Sequence, residues 1–359
     1  MPLCPFAPLL LSIPLLIGKA RKAQGLPTMN VQENSIKAVP ILRLQALCKN
    51  FPTGRLPGES IRVVDNVDMN VEAGEIRGIV GESGAGKTTL ARCSLRLVEP
   101  SSGSIQFCGQ ELTSLGPKLL RARRRDFQMV FQDSYASLNP TMTVEQILLE
   151  PLQVHNVGDN NYRHGRMQEL LEAVSLSESL IHRKPAELSG GQQQRVGIAR
   201  GLILKPRLLI ADEPVSALDA SVQAQILNLL AELKRQYELT LILISHSLCA
   251  IHYLCTHISV LYGGRLVEEA PAAIFFGEPK HPYSKALLDA TLVLDPSRPK
   301  DSRIIKENSF SPPNPRSGCA FHPYCSHSLP ICARQAPHLK EVKRGEKVAC
   351  FLHNQESEK

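Results

Sequence analysis

The sequence contains no hydrophobic run long enough to span a membrane. Its most apolar stretch, Leu3–Ile17, is interrupted by three prolines and falls short of the roughly 20 apolar residues that a spanning helix needs. The basic residues that open a secretory signal are also missing before it. We therefore expect residues 1–35 to be a leader outside the fold, disordered or mis-started, with Met29 as a candidate true start. A peripheral anchor and a signal peptide are the alternatives.

Neither an internal repeat nor a strong excess of one charge is present. Lys and Arg number 41 against 34 Asp and Glu, which gives a net charge of +7. The hydrophobic content of 43% and the charged content of 21% are those of an ordinary globular protein. The small positive charge suits nucleotides, nucleic acid or an anionic membrane surface and does not choose among them.

The chain has ten cysteines, and the lack of a convincing signal favours a reducing compartment. Scattered cysteines of this kind usually fill small buried spaces. Six fit that description: Cys4, Cys48, Cys93, Cys108, Cys249 and Cys255. The other four lie near the C-terminus.

A glycine-rich segment, Gly81–Thr88, matches the phosphate-loop pattern GxxxxGK[ST]. The strand-like run Glu75–Val80 leads into it and a helical pattern, Thr89–Leu97, follows it. In such a loop, backbone N–H groups surround phosphate oxygens; Lys87 would reach the β and γ phosphates, and the Thr88 hydroxyl would bind Mg²⁺. The alternative is a glycine-rich turn before a helix. The predicted ATP-binding residues here are Gly81, Glu82, Ser83, Gly84, Ala85, Gly86, Lys87, Thr88 and Thr89.

Two adjacent acids, Asp212 and Glu213, end the apolar run Leu208–Ala211. Strand ends in parallel sheets face the crevice where ligands bind. We expect Asp212 to hold Mg²⁺ and Glu213 to polarise the attacking water. The alternative is that the pair caps the next helix.

Gln132 and His246 follow two further strand-like runs, Met129–Phe131 and Leu241–Ile244. We predict that Gln132 contacts Mg²⁺ and the attacking water, and that His246 contacts the γ phosphate. Taken alone, Gln132 would normally be a surface residue and His246 a satisfied structural residue. We interpret them as catalytic, together with Glu213 and Lys87.

In the segment Leu188-Ser189-Gly190-Gly191-Gln192, the residues Ser189, Gly190 and Gly191 precede a predicted helix from Gln192 through Arg200. Their N–H groups and the Ser189 hydroxyl form a second anion-binding helix start. Together with the phosphate loop, it indicates an ATPase working as a sandwich dimer, each half acting on the other's nucleotide. Asp219, in Ser216–Asp219, is predicted to lie at the dimer seam. The alternative is an N-cap beside a flexible turn.

Phe51 is the candidate for stacking on adenine, with a core aromatic as the alternative. The basic run Lys118–Arg125 contains no aromatic residue, so we interpret it as a solvated helix face and expect no nucleic-acid partner.

Alternation of apolar strands with helical patterns such as Val222–Arg235 predicts an α/β core with a parallel sheet. Residues 134–195 lack strand signals and are predicted to be an inserted helical subdomain. The predicted organisation is an ATPase domain over 36–270 and an extension over 271–359. Ser311–Pro315 is expected to be a linker into the cysteine-rich tail.

The ordered motifs resemble the ABC-type ATPases over roughly residues 41–270. The resemblance implies a P-loop fold with a parallel-sheet core, a small antiparallel β-subdomain and a helical subdomain. It also implies ATP and Mg²⁺ as ligands. Every predicted catalytic position is intact, although Arg77 stands in a usually apolar strand, and Ser247 and His257 replace a usual Asp and Arg.

Three flanking segments, Phe131–Pro140, His281–Leu287 and Pro315–Cys319, resemble the ATP-binding subunits of bacterial oligopeptide/dipeptide importers. That resemblance implies a second, different ATPase subunit, two membrane permeases and an extracytoplasmic solute-binding protein. It also implies a peripheral position on the cytoplasmic face of the inner membrane. Ser134–Val144 would contact the permease. Related importers of nickel, glutathione or opine-like compounds, and soluble ABC-type ATPases, are the alternatives.

The four C-terminal cysteines, Cys319, Cys325, Cys332 and Cys350, lack the CxxC pairs that zinc sites favour. Four thiolates are also the ligand set of iron–sulfur clusters. Similar tails in the importer family bind [4Fe–4S], and the resemblance implies such a cluster here. Unligated thiols, zinc and disulfides are the alternatives.

Overall fold

The computed structural model describes residues 39–53, 59–292 and 318–353. The predicted leader and the predicted linker at Ser311–Pro315 lie outside the described residues.

The strands follow one another along the whole described chain. In chain order they are β1 (Leu42–Pro52), β2 (Ser60–Val71), β3 (Ile76–Val80), β4 (Ser102–Phe107), β5 (Gln110–Glu111), β6 (Phe127–Val130), β7 (Leu208–Asp212), β8 (Thr240–Ile244), β9 (His257–Tyr262), β10 (Arg265–Pro271), β11 (Lys340–Lys343) and β12 (Glu346–Val348).

Helices lie between most of these strands and are concentrated between β6 and β7. In chain order they are α1 (Lys87–Ser94), α2 (Pro117–Arg123), α3 (Ser134–Ser137), α4 (Val144–Val154), α5 (Asn160–Ala173), α6 (Gly190–Leu202), α7 (Ala220–Gln236), α8 (Leu248–Leu254), α9 (Ala272–Gly277) and α10 (Pro282–Leu292).

An eight-stranded sheet forms the centre, in the order β11-β12-β10-β9-β3-β8-β7-β6. The neighbours from β9 to β6 pair in parallel, which confirms the predicted parallel core. The other edge is antiparallel, because β10 pairs with both β9 and β12 and β12 pairs with β11. The tail strands β11 and β12 therefore extend the central sheet, whereas the domain limits 36–270 and 271–359 stay predictions.

A second sheet, in the order β2-β1-β4-β5, is antiparallel, as the resemblance implied. The residues of strand β7 pack alternately on the two faces of the central sheet. Leu208 and Ile210 pack into the cluster that joins the two sheets, whereas Leu209 and Ala211 pack toward the helices on the opposite face. This alternation follows from the two-residue period of a strand and explains why every residue of β7 is apolar except the last.

Helices α3–α6 and two short 3-10 helices occupy the segment between β6 and β7, and the described residues there form no strand, as predicted. Thr143 begins α4 with a reciprocal capping box to Gln146. The last helix of the segment, α6, continues beyond the predicted limit at residue 195 to Leu202, because its apolar face packs on β6 and β7.

Arg77 is buried in β3 by an ion network rather than by apolar neighbours. Its guanidinium pairs with Glu75 and, at 3.2 Å, with Glu269, and it donates to the Ser259 hydroxyl at 3.1 Å. Lys347 of β12 pairs with the second oxygen of Glu269 at 3.1 Å. The unusual arginine is thus fully paired and links β3 to the tail.

Candidate functional site

The phosphate loop and the predicted residues Gln132, Asp212 and His246 converge at the carboxyl edge of the parallel strands. The phosphate loop follows β3, Asp212 ends β7, and His246 follows β8 by two residues. Because β8 lies between β3 and β7, these three strand ends are adjacent. Gln132 joins them from beside β6, two residues after that strand ends at Val130. The parallel sheet, rather than proximity in sequence, brings these groups together.

Close backbone packing explains the glycines of the phosphate loop. Gly81 and Gly86 have φ values of 151° and 99°. A Cβ atom would lie 2.1 Å from the Leu261 carbonyl oxygen at Gly81 and 2.5 Å from the Val63 carbonyl oxygen at Gly86. Neither position therefore accepts a larger residue. The loop is held between β9 and β2.

The side chain of Lys87 points back into the phosphate loop. Its Nζ atom donates to the carbonyl oxygens of Gly81 and Glu82, each at 2.8 Å. Burial lowers the pKa of Lys87, while the negative charges of Glu213 and Asp212 act in the opposite direction. A buried ammonium group surrounded by carbonyl oxygens and carboxylates is well placed to exchange these partners for phosphate oxygens.

Thr88 and Asp212 form the candidate magnesium site. The Thr88 hydroxyl donates to Asp212 Oδ1 at 3.0 Å. Asp212 is fully buried, and its second oxygen, Oδ2, is a buried oxygen with no hydrogen-bond partner among the described residues. Burial raises the pKa of this carboxyl group, although the Thr88 hydrogen bond opposes the rise. An unsatisfied buried carboxylate oxygen beside a hydroxyl fits the oxygen ligands that Mg²⁺ prefers.

Glu213 contacts two of the other predicted catalytic residues, Gln132 and His246. Gln132 Nε2 donates to Glu213 Oε2 at 2.8 Å, and His246 Nδ1 lies 3.4 Å from the same oxygen. Glu213 has a φ of 46°, a conformation uncommon for residues other than glycine. Its backbone N–H donates to the Ile244 carbonyl of β8 at 2.9 Å. This bond places Glu213 between the ends of β7 and β8.

The segment Leu188–Gln192 leads into α6 at the protein surface. Ser189 is the N-cap: its Oγ accepts the Gln192 N–H at 3.3 Å, and Gln192 Oε1 accepts the Ser189 N–H at 2.9 Å. The helix therefore starts at Gly190, two residues before the predicted start at Gln192. Ser189 and Gly190 are exposed. At Gly191 a Cβ atom would come within 2.8 Å of the Val222 side chain, so a small residue is needed there.

Asp219 and Phe51 are both accessible. Asp219 is the exposed N-cap residue of α7, and its side chain makes no capping hydrogen bond, so its carboxylate is not used to begin the helix. The Phe51 side chain is 38% exposed, with Lys49 Nζ 4.8 Å from its ring centroid. Phe51 pairs with Ile61 of β2, two residues from Val63, which faces the phosphate loop. Exposure argues against the core alternative for Phe51.

The four tail cysteines line one small cavity, and all four are free thiols. Burial raises the pKa of Cys319, Cys325 and Cys350, the last to about 11. Among the described residues, no group of three or more His, Cys, Asp or Glu side chains is arranged to hold a metal ion. The structure thus gives no support for a single ion such as zinc, and the expected cluster is not confirmed.

One contact to the phosphate loop was missed by the motif analysis. The hydroxyl of Tyr283 in α10 accepts the Glu82 N–H at 2.9 Å. Tyr283 lies in the segment His281–Leu287, which resembles the peptide importers. That resemblance marks the segment but does not indicate a contact with the phosphate loop.

Comparisons with known proteins identify the family of this chain. Residues 64–216 match the family model "ABC transporter", and residues 267–332 match "Oligopeptide/dipeptide transporter, C-terminal region". A putative peptide import ATP-binding protein of Brucella abortus is 42% identical over 315 residues, covering 88% of this chain and 98% of that protein. The oligopeptide transport ATP-binding protein AppF of Bacillus subtilis is 42% identical over 322 residues, covering 88% and 98%.

A solved dimeric structure of a bacterial ABC transporter cassette is also similar. It is 30% identical to this chain, with a TM-score of 0.59, and the match covers 64% of this chain and 98% of that one. The chain therefore belongs to the ABC transporter family, as an ATP-binding cassette, and it is an ATPase that uses ATP and Mg²⁺. In the described part of the chain, no helix is both long and apolar enough to cross a membrane.

Proposed function

We propose that this chain hydrolyses ATP to energise the import of di- and oligopeptides through a membrane transporter. The cluster of Gln132, Glu213 and His246 beside Thr88 and Asp212 supports the chemistry. The names of the relatives, together with the C-terminal region of the peptide-transporter type, support the substrate class. The ATPase subunit does not itself supply a solute site in this proposal.

The site residues divide the chemistry among them. Lys87 and the N–H groups of the phosphate loop bind and orient the β and γ phosphates. Glu213 accepts a proton from the attacking water, and Gln132 and His246 fix the direction of its carboxylate. Thr88 and Asp212 would hold Mg²⁺, which would supply positive charge to neutralise the phosphates. Most of the rate enhancement comes from positioning and electrostatics.

The dimer supplies the missing half of each site. The exposed helix start at Ser189, Gly190 and Gly191 would face the γ phosphate bound by a second ATPase subunit, with Gln192 holding the turn and Asp219 at the seam. Phe51 would stack on adenine. By resemblance the second subunit is a different chain, so the pair is a heterodimer.

The transporter partners follow from the family of importers. Two permease subunits would bind this ATPase pair at the cytoplasmic face of the inner membrane, with Ser134–Val144 touching the permease. A solute-binding protein on the other side would deliver peptide. The chain itself is then a peripheral membrane protein.

A [4Fe–4S] cluster is part of the proposal, because the donor set fits it. Four thiols line one cavity, and neighbouring backbone N–H groups favour the thiolate forms of Cys319, Cys325 and Cys350, against the burial that raises the pKa of each. The Leu329 N–H donates to Cys332 at 3.4 Å. Such hydrogen bonds stabilise thiolates and tune clusters. Each thiolate in such a cluster binds a different iron atom, so the four sulfur atoms need not converge on one ion.

Two experiments test these parts separately. Affinity purification from detergent-solubilised native membranes, with mass spectrometry, should recover two polytopic permeases and a second ATPase. Recovery only with ribosomal or DNA-repair proteins would contradict the importer and leave the ATPase intact. Anaerobic purification should give brown protein containing iron and sulfide. Colourless, iron-free protein that retains ATPase activity would exclude the cluster.

A further inference from the structure

The residues that begin α10 form a small structural unit directed at the phosphate loop. His281 is fully buried, and its Nδ1 accepts the Tyr283 N–H at 3.0 Å. Pro282 occupies the first helical position, where its missing N–H leaves no donor unsatisfied. The buried carboxylate of Glu268 accepts the N–H groups of Lys280 and His281, each at 2.8 Å. This hydrogen bonding fixes where the helix starts and where Tyr283 points.

Tyr283 is anchored by aromatic rings on one side and by the phosphate loop on the other. Its ring centroid lies 4.5 Å from that of Tyr262 and 5.5 Å from that of Phe321. Its hydroxyl accepts the Glu82 N–H at 2.9 Å. Tyr283 is one of the largest fully buried side chains, so neither end of it moves without repacking its neighbours.

Glu82 is held at both of its peptide groups. Tyr283 receives its N–H, and Lys87 donates to its carbonyl oxygen. When Lys87 turns toward phosphate oxygens, the carbonyl loses that partner, whereas the Tyr283 hydrogen bond does not depend on Lys87. Tyr283 therefore keeps the second residue of the loop in place at the moment when the loop closes on the nucleotide.

The ring next to Tyr283 belongs to the four-cysteine segment. Phe321 is buried and lies two residues after Cys319. The Phe321 side chain lines the same cavity as the four cysteines. A continuous series of contacts thus runs from the cysteine cavity through Phe321 and Tyr283 to Glu82.

We propose that Tyr283 is a positioning residue of the ATP site, and that it transmits the packing of the four-cysteine segment to the phosphate loop. The inference rests on the proposed binding of ATP at this loop. It makes nucleotide affinity depend on Phe321, a residue outside the ATPase motifs, and it requires no particular ligand at the cysteines.

The first test removes only the hydroxyl group. Tyr283→Phe keeps the ring and its contacts, so the chain should fold with an unchanged circular dichroism spectrum. Loss of one neutral hydrogen bond to the loop should weaken binding of a fluorescent ATP analogue to the full-length chain about 3- to 10-fold. In the purified transporter assembly, KM for ATP should rise similarly, with kcat within about twofold, because Glu213 and its partners are untouched.

Tyr237→Phe is the matched control. It also removes a hydrogen-bonded tyrosine hydroxyl, one that donates to Glu169 at 3.1 Å in the helical region. Its Kd for the analogue should equal that of the wild type. An equal Kd for Tyr283→Phe and Tyr237→Phe would overturn the positioning role.

A double-mutant cycle tests the transmission. Phe321→Leu should weaken binding of the analogue in the wild-type background and have little further effect in Tyr283→Phe, since the hydroxyl that carries the effect is already gone. If the double variant instead raises the Kd by the product of the two single effects, the residues are not coupled and the transmission is overturned. If Phe321→Leu reduces the folded yield, Phe321→Met replaces it. A wild-type chain that binds no ATP analogue would instead contradict the proposed function.

Discussion

Gln132 Nε2 donates a hydrogen bond of 2.8 Å to Glu213 Oε2, joining the beginning of the helical segment to the acid at the end of β7. His246 approaches the same carboxylate oxygen from the next strand end, at 3.4 Å. Three loops therefore meet on one oxygen atom. This geometry gives Glu213 a fixed direction, which a base must have to accept a proton from a positioned water.

Removal of the Glu213 charge should stop turnover and spare binding. In Glu213→Gln, ATP hydrolysis should fall about 10²- to 10⁴-fold, with the Kd for ATP changed by less than about threefold. Phosphate release and nucleotide binding measure the two effects. Glu238→Gln, at a turn before β8, is the control and should hydrolyse ATP normally. Turnover of Glu213→Gln within tenfold of the wild type would assign the base elsewhere.

Asp212→Asn should weaken the binding of Mg²⁺. The substitution removes the buried charge beside Thr88 while keeping the size of the side chain, so the Mg²⁺ concentration for half-maximal activity should rise roughly tenfold or more. Titration of ATPase activity with Mg²⁺ measures it. Asp126→Asn, which removes a partly exposed carboxylate paired with Arg123, should leave the titration unchanged. An unchanged curve for Asp212→Asn would place Mg²⁺ on other residues.

Breaking the Arg77 network should strongly destabilise the fold. Arg77→Met leaves the buried carboxylates of Glu75 and Glu269 without their guanidinium partner, and loss of one member of a buried pair costs about 3–5 kcal/mol. Urea unfolding measures the difference. Arg123→Met breaks an exposed pair with Asp126 and should cost less than about 1 kcal/mol. Equal losses would show that the β3 network contributes no more than a surface pair.

Protonation of His281 should lower stability in acid. Burial is the main reason that its pKa falls to about 3, and nearby His353 adds to the effect. Because the folded state favours neutral His281, its contribution is present above pH 6.5 and is lost as the pH falls from 6.5 toward 3. His281→Asn keeps an acceptor for the Tyr283 N–H and removes the titration. Its unfolding free energy should be lower at pH 7 but should fall less steeply in acid. Parallel slopes for the two proteins would contradict this role.

The sequence predicted the parts of the fold that depend on local pattern. Gly81–Thr88 and the all-apolar run of β7 were recognisable because loop geometry and burial on both faces restrict which residues fit. The convergence of Gln132, Asp212 and His246 was also predictable, since parallel strand ends share one edge.

Other features depend on long-range pairing, which local pattern does not encode. Strands β11 and β12 are too short for a clear two-residue period, and the addition of β12 to β10 pairs residues far apart in the sequence, such as Glu268 and Val348. Two partners of Arg77, Ser259 and Glu269, come from the distant strands β9 and β10. The hydrogen bond between Tyr283 and Glu82 joins residues that are 201 positions apart. The phosphate-loop motif alone therefore could not predict it.

Uptake of labelled peptide by the complete transporter in vesicles is the most direct test of the central claim. The assembly is reconstituted with ATP inside the compartment that this subunit faces, with its solute-binding protein on the other side, and Glu213→Gln is compared with the wild type. We expect ATP-dependent peptide accumulation with the wild type and none with Glu213→Gln. Accumulation that persists with Glu213→Gln, or wild-type ATP hydrolysis without any peptide uptake, would contradict the account.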